Sequence, residues 1–116
     1  MSNTVAAIAT PDGIGAIGIV RISGEDAISI ASRCFRPANE NKILTEMSGY
    51  TAAYGHIFDN DGDIDDAVAT VFRAPHSYTG ENTVELSLHG GRAVMTRALR
   101  AVYSCGADAA GRGEFS

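Results

Sequence analysis

Two charged side chains in strand-like segments have complementary chemistry. Arg21 lies within IGIVRIS (residues 17–23), and Glu85 lies within TVELSL (residues 83–88). A carboxylate accepts parallel N–H bonds from an amidine-like heterocycle, and a guanidinium binds a carboxylate. Together the two residues suit a flat, donor-rich ligand with an anionic tail. The alternative for each is an exposed sheet face or a salt bridge, and the spacing alone leaves both interpretations open.

The alternation of residue types predicts that both segments are β-strands with one apolar face. In the first strand Val20 and Ile22 point away from Arg21, which shares its face with Ile17 and Ile19. The residues opposite Glu85 are all apolar: Val84, Leu86 and Leu88. Those expected beside Glu85 are polar: Thr83, Ser87 and His89. Glu85 is therefore expected on a polar sheet face.

Three further segments have strand character. TVAAIA (residues 4–9) is short and apolar, with β-branched residues. YTAAYGHIF (residues 50–58) and AVATVFR (residues 67–73) flank the acidic segment DNDGDIDD (residues 59–66). A turn-rich segment between two alternating segments predicts a β-hairpin.

Two segments have helical spacing. The first helix is expected to begin at Ser23 or Gly24 and to end at Pro37, and the second is expected to span residues 92–105, before Gly106. Their apolar stripes are Ala27, Ile28, Ala31, Cys34 and Phe35 in the first, and Val94, Met95, Ala98, Leu99 and Val102 in the second. Strands outnumber helices, so the pattern predicts an α+β fold, a mixed sheet of about five strands packed with helices.

Composition indicates one domain over residues 1–116 of this chain. The formal net charge is −5, with 9 basic residues against 14 acidic ones, and Lys42 is the single lysine. This balance argues against a domain that serves as the main clamp on a nucleic-acid backbone.

The two cysteines, Cys34 and Cys105, have no close-spaced partner in the sequence. They are expected to be buried reduced thiols of a cytoplasmic protein rather than a disulfide framework or a zinc site. No signal peptide and no apolar segment of roughly 20 residues is visible, so no membrane association is expected. The ending GRGEFS suggests a fragment of a longer protein.

The familiar enzyme motifs do not fit. GIGAIG (residues 13–18) matches the dinucleotide fingerprint in letters, but strand sequence follows it where a helix is required. The acidic segment lacks a ligand oxygen at the first position of a calcium loop, and no Walker A sequence is present. The sequence therefore predicts no catalytic residue and no metal ligand, and the chain is not expected to hydrolyse GTP by itself.

Three segments together resemble a known family. VAAIATPDGIGAIGIVRISG (residues 5–24), RAPHSYTGENTVELSLHGG (residues 73–91) and GEFS (residues 113–116) are similar to the N-terminal domain of the tRNA modification GTPases called MnmE or TrmE. The resemblance follows the order of the chain over nearly its whole length. Its most specific part is SYTGE-x-x-VE followed by HGG.

This resemblance implies a larger protein with a helical domain and a G domain. Family members form homodimers through the N-terminal domain and act with an FAD-containing partner to modify C5 of the wobble uridine in tRNA. The N-terminal domain is expected to bind a tetrahydrofolate derivative (5-formyl- or 5,10-methylene-tetrahydrofolate), in a fold similar to the folate-binding domain of the glycine-cleavage T-protein. GTP, K⁺ and Mg²⁺ belong to the G domain, which is absent from this chain.

The resemblance also implies site residues. Arg21 of VRISG and Glu85 of GENTVE correspond to folate-contacting positions, whereas a third, basic contact falls beyond Ser116. Asp12 and Arg112 stand where the family usually has prolines. The turn at residues 78–80 is expected to set the entry of the Glu85 strand, and the glycines of HGG are expected to approach the ligand or start the last helix closely. The alternative function is a structural dimerisation module with no bound ligand.

Overall fold

The computed structural model describes residues 4–9, 18–75 and 80–109, which form one mixed sheet of seven strands with two α-helices and a short 3₁₀ helix. In chain order the elements are β1 (Val5–Ile8), β2 (Gly18–Ser23), α1 (Ala27–Ser32), β3 (Phe35–Pro37), the 3₁₀ helix (Leu44–Glu46), β4 (Thr51–Asp59), β5 (Gly62–Phe72), β6 (Thr83–Leu88), α2 (Arg92–Ser104) and β7 (Asp108–Ala109). The sheet order is β3-β4-β5-β6-β2-β1-β7, and the β1–β7 pair alone is parallel. The predicted α+β class is confirmed.

Neither α-helix in the described ranges is long and apolar enough to cross a membrane.

One face of the sheet is apolar because small and branched residues alternate along paired strands. Val20 of β2 lies opposite Leu86 of β6, and Leu86 lies opposite Ala69 of β5. All three are 0% exposed and belong to the single core that includes the apolar residues of both helices. Burial of such side chains contributes roughly 25 cal/mol for each Å² removed from water. The predicted faces of β2 and β6 are therefore confirmed over the described residues.

The first helix is shorter than the sequence predicts. It ends at Ser32, whereas the predicted helix reached Pro37, and its N-cap is Asp26. The predicted start at Ser23 or Gly24 was also wrong, since both residues precede the N-cap. Phe35 fits the helical stripe by spacing but lies in β3, where it pairs with β4 and is 2% exposed. The ring of Phe35 could be buried whether its backbone were helical or extended, and pairing with β4 favours the extended strand.

The predicted hairpin is confirmed, but its turn is much shorter than the acidic segment. Asn60 and Asp61 form the turn, and Gly62 already belongs to β5. Asp63 is tolerated in the strand because Arg36 of β3 donates to both of its carboxylate oxygens, at 2.8 and 3.0 Å. Cross-strand partners thus extend β5 into a region whose composition favours a turn.

The second helix agrees with the prediction and is tied to the hairpin. Cys105 is its C-cap, and Gly106 follows with φ +124°, a backbone conformation that favours glycine. Near the middle of α2, Arg97 donates Nε and Nη2 to the two carboxylate oxygens of Asp59, both at 2.8 Å. This bidentate pair lowers the pKa of Asp59 to about 2. It joins α2 to the end of β4.

The packing of β3 on β4 predicts the effect of Gly55→Ala. A Cβ at this position would overlap the backbone carbonyl oxygen of Arg36 and would lie 2.7 Å from Cζ of Phe35. We expect the substitution to lower the free energy of unfolding by about 1–3 kcal/mol, as overpacking does elsewhere. The matched control is Gly91→Ala, where nothing lies within 4 Å of the added atom. Equal effects in urea denaturation would contradict this packing.

The pair between Asp59 and Arg97 predicts a pH dependence of stability. Because the folded pKa of Asp59 is lowered from 3.8 to about 2, the contribution of the pair is complete above 3.8 and disappears as the pH falls towards 2. Urea denaturation at several pH values measures this for the parent chain and for Asp59→Asn. We expect their stability difference to shrink across that window, and a constant difference would contradict the assignment.

Candidate functional site

The two residues singled out from the sequence lie directly opposite each other. Arg21 of β2 pairs with Glu85 of β6, and the same row continues to Ala7 of β1 on one side and to Thr70 of β5 on the other. Side chains of this row project from the sheet face that is opposite the apolar core. The register therefore places a cation and an anion side by side in the middle of the sheet.

The contact between them uses only one oxygen of the carboxylate. Arg21 donates Nε to Glu85 Oε2 at 2.8 Å, and its Nη2 lies 2.7 Å from the same oxygen. Their side chains are 15% and 20% exposed, respectively. In this environment the loss of one partner leaves a poorly solvated charge, which costs more than breaking an exposed pair.

The second oxygen of Glu85 is available to a ligand. Oε1 contacts no donor in the part of the chain that the structure describes. No buried side-chain oxygen or nitrogen in those residues lacks a hydrogen-bond partner, so Oε1 must reach solvent. Glu85 thus presents an acceptor oxygen whose orientation is fixed by the ion pair.

Hydroxyl groups continue the polar face beyond this pair. Ser23 and Thr83 lie opposite each other at the next position of the same strands. Ser23 donates to Oε2 of Glu81 at 3.2 Å, and Oγ1 of Thr83 is 3.4 Å from Oγ of Ser23. Thr83 was predicted on this face, whereas Ser23 was predicted as the end of the strand but was not named among the residues of this face. Continued alternation from Arg21 is the signal that identifies it.

On the other side of the pair the same face becomes mixed. Ile19 lies opposite Ser87, and Ser87 lies opposite Val68. All three are half-buried. Apolar surface beside a carboxylate is the combination that binds a planar heterocycle with one polar edge.

The HGG segment is fixed by an acid from the neighbouring strand. Asp65 Oδ2 accepts the backbone N–H groups of His89 and Gly90, both at 2.8 Å. Burial favours a higher pKa for Asp65, but the hydrogen bonds from Gly90, His89 and Asp66 outweigh it, and the pKa is lowered. The carboxylate is therefore charged at neutral pH and holds the end of β6. Sequence inspection missed Asp65 because its partners are backbone groups of a distant segment.

The first glycine of the pair is required for helix packing. A Cβ on Gly90 would lie 2.5 Å from Val94 Cβ, whereas space around Gly91 is open. For Gly90 this agrees with the prediction that the glycines let the last helix start closely, whereas Gly91 has no such contact. The predicted ligand approach at Gly90 or Gly91 stays a prediction.

Several sequence predictions fall outside the described residues. They concern residues 10–17, 76–79 and 110–116. The first range contains Asp12 and most of the glycine-rich segment, and the second contains most of the predicted turn. The strand predicted to follow the glycine-rich segment is present as β2. Among residues 4–9, 18–75 and 80–109, no group of three or more His, Cys, Asp or Glu side chains is arranged to hold a metal ion.

Comparison with known proteins extends over almost the whole chain. A family model described as "GTP-binding protein TrmE N-terminus" matches residues 4–116, including both strands of the site. The chain belongs to the TrmE N-terminal family.

Curated relatives of this TrmE N-terminal chain share a common description, "tRNA modification GTPase MnmE". The protein of Symbiobacterium thermophilum is 49% identical over 114 residues, covering 97% of this chain and 25% of the relative. The protein of Roseiflexus castenholzii is 48% identical over 115 residues, covering 98% of this chain and 24% of the relative. The protein of Parabacteroides distasonis is 43% identical over 115 residues, covering 98% of this chain and 25% of the relative. The chain thus spans about a quarter of the length of these relatives.

The geometry of this TrmE N-terminal site predicts strong coupling between Arg21 and Glu85. In a double-mutant cycle with Arg21→Met and Glu85→Leu, we expect a coupling free energy of about 1–3 kcal/mol in urea denaturation, because each single change leaves a poorly solvated charge. The control cycle uses Arg36→Met and Asp63→Leu, a pair whose side chains are 53% and 56% exposed. Its coupling should be clearly smaller, because solvent screens an exposed pair. Similar values for both cycles would contradict this description of the site.

Proposed function

We propose that this chain is the tetrahydrofolate-binding and dimerisation domain of a tRNA modification GTPase. A 5-formyl- or 5,10-methylene-tetrahydrofolate binds at Arg21 and Glu85. In the cytoplasm the whole protein, together with an FAD-containing partner, modifies C5 of the wobble uridine in tRNA. GTP, K⁺ and Mg²⁺ bind to a G domain outside this chain.

The observation that carries the folate proposal is the accessible Oε1 of Glu85. The pteridine of a reduced folate has an edge of amidine-like N–H groups, which are donors suited to a carboxylate. An acceptor oxygen that is already oriented binds such an edge without first ordering a flexible side chain. Half-buried Ile19 and Val68 add apolar surface next to it. The residues present therefore fit the ligand class.

Arg21 supports the same ligand through its charge. Its Nη2 lies 2.7 Å from Glu85, so a ligand that reaches the carboxylate also comes close to the guanidinium. A planar guanidinium binds oxygen acceptors favourably, so Arg21 can contact a ligand oxygen that lies close to the pteridine edge. Bound folate would supply a one-carbon unit, while Arg21 and Glu85 would bind and orient the molecule.

Exposed aromatic residues support dimerisation through this domain. Tyr54 projects from the sheet face that is opposite the core and is 52% exposed. Tyr50 is 66% exposed and packs edge-to-face on Phe72, with ring centroids 5.6 Å apart. Tyrosine and phenylalanine are enriched at protein interfaces. The family resemblance implies a second copy of the chain as the partner of this domain, and we assign that copy to this surface.

The roles in tRNA modification are assigned to the whole protein. The relatives are described as tRNA modification GTPases, and this chain spans about a quarter of their length. Its net charge of −5 disfavours it as the main tRNA clamp. We therefore place tRNA binding and the FAD-containing partner with the remaining domains.

A structural dimerisation module with no bound ligand is the competing function. The ion pair between Arg21 and Glu85 is compatible with it, because such a pair can be purely structural. The two functions differ in their response to folate. A ligand that binds the native state must raise the melting temperature, whereas a module without a site shows no shift.

Calorimetry with 5-formyltetrahydrofolate tests the proposal on single residues. We expect Glu85→Gln and Arg21→Ala each to weaken binding by about 1.5–3 kcal/mol, since each loses a charged hydrogen bond. The matched controls are Asp63→Asn and Arg36→Ala, which remove the same groups from an exposed ion pair outside the site. These should bind as the parent does.

The same samples separate the two candidate functions. Folate is expected to raise the melting temperature of the parent chain and of both controls. If Glu85→Gln binds as tightly as the parent, the assignment of Glu85 is wrong. If the parent shows neither heat of binding nor a melting shift at saturating folate, the ligand-free module replaces the proposed function.

A further inference from the structure

The fold brings the only two cysteines of the chain together. Cys34 follows α1 and Cys105 caps α2, and both are free thiols. The Cys105 thiol lies near enough to the Cys34 thiol to contribute to the raised pKa of Cys34. The sequence predicted two buried thiols, but only Cys34 is buried, at 1% exposed, and Cys105 is half-buried. The positions of the two cysteines in the sequence did not indicate that they lie close together in the fold.

Contacts around the thiols hold the ends of the two helices together. Arg33, next to Cys34 in the chain, donates Nη1 to the backbone oxygen of Cys105 at 2.8 Å. A Cβ on Gly106 would lie 3.6 Å from Ile30 Cδ1, so the residue after Cys105 packs against α1. The Cys34 thiol lies 3.6 Å from the backbone oxygen of Ala31. The backbone on both sides of the thiol pair is therefore fixed.

One of the two cysteines, Cys105, is partly exposed. A cavity of about 170 Å³ lies between the end of α2 and the tip of the β4–β5 hairpin. Its lining residues are Arg33, Phe58, Asp59, Asn60, Ala101, Ser104 and Cys105. Cys34 does not line it. A small reagent in this cavity therefore meets Cys105 and not Cys34.

We propose that Cys34 and Cys105 form an oxidative modification site that a low-molecular-weight disulfide converts into an intramolecular disulfide. The Cys105 thiolate attacks one sulfur of the reagent, forms a mixed disulfide and releases one thiol. Cys34 then attacks the Cys105 sulfur and releases the second thiol. In total, two protein thiols are oxidised and the reagent is reduced to two thiols, which take up the two protons.

The order of the two steps follows from the different surroundings of the sulfur atoms. Burial, together with the neighbouring Cys105 thiol, raises the pKa of Cys34 to about 12. The thiolate is the nucleophile in disulfide exchange, so Cys34 is a poor first attacker. It can act as the resolving thiol because the mixed disulfide forms beside it.

The new bond would change stability in a measurable way. It closes a loop that contains β3 to β6 and α2, which is most of the sheet. A cross-link across so long a loop restricts the unfolded chain and raises the melting temperature. This inference is independent of folate binding, since neither cysteine belongs to the Arg21–Glu85 site.

The test treats the native 116-residue chain with oxidised glutathione and follows thiol content, intact mass and melting temperature. We expect loss of both titratable thiols, a monomer whose mass is lower by two hydrogens, and a melting temperature raised by about 5 °C or more. Dithiothreitol should reverse all three changes. A chain that keeps both thiols, or that forms only disulfide-linked dimers, overturns the proposal.

Two variants test the order of the steps. Cys34→Ala should stop at a stable mixed disulfide on Cys105, visible as the added mass of one glutathione. Cys105→Ser should leave Cys34 unmodified, since the buried sulfur is not reached. Circular dichroism confirms that each variant is folded before treatment. Modification of Cys34 in the folded Cys105→Ser chain at the parent's rate contradicts the assigned order.

Discussion

The antiparallel register of β2 and β6 is the constraint on which the candidate site depends. It places Arg21 opposite Glu85, and it places Val20 opposite Leu86 on the other face. Because side chains alternate, a slip of one strand by one residue would turn that strand's charged group into the core and its apolar residues towards solvent. Burial of an unpaired charge costs several kcal/mol, so the apolar core and the ion pair select the same register. The site is thus a consequence of how the sheet buries its apolar face.

Local patterns predicted the parts of the fold that depend on sequence periodicity. Alternation identified the whole of β6 and its two faces, and helical spacing with Gly106 identified α2. The sequence did not show β3 and β7, which have three and two residues and exist because they pair with β4 and β1. The early end of α1 also depends on strand pairing. The spacing of Phe35 is compatible with a helix, and its pairing with β4 is what places it in a strand.

The candidate site could be predicted as residue types but not as an arrangement. Arg21 and Glu85 were recognisable because a charged residue in an otherwise apolar or alternating strand requires an explanation. Their direct contact joins segments that are far apart in the chain, and so does the anchoring of His89 by Asp65. The orientation of Oε1, which matters most for a ligand, follows from which oxygen Arg21 binds. Residue spacing carries no information about that choice.

The central claim is that the carboxylate of Glu85, held by Arg21 on the sheet face opposite the core, receives the donor edge of a reduced folate. A crystal structure of the chain soaked with 5-formyltetrahydrofolate tests it most directly. The account predicts pteridine N–H groups within hydrogen-bond distance of Glu85, with Arg21 still paired with that carboxylate. Density for folate at another place, with Glu85 bonded to Arg21 alone, would contradict it.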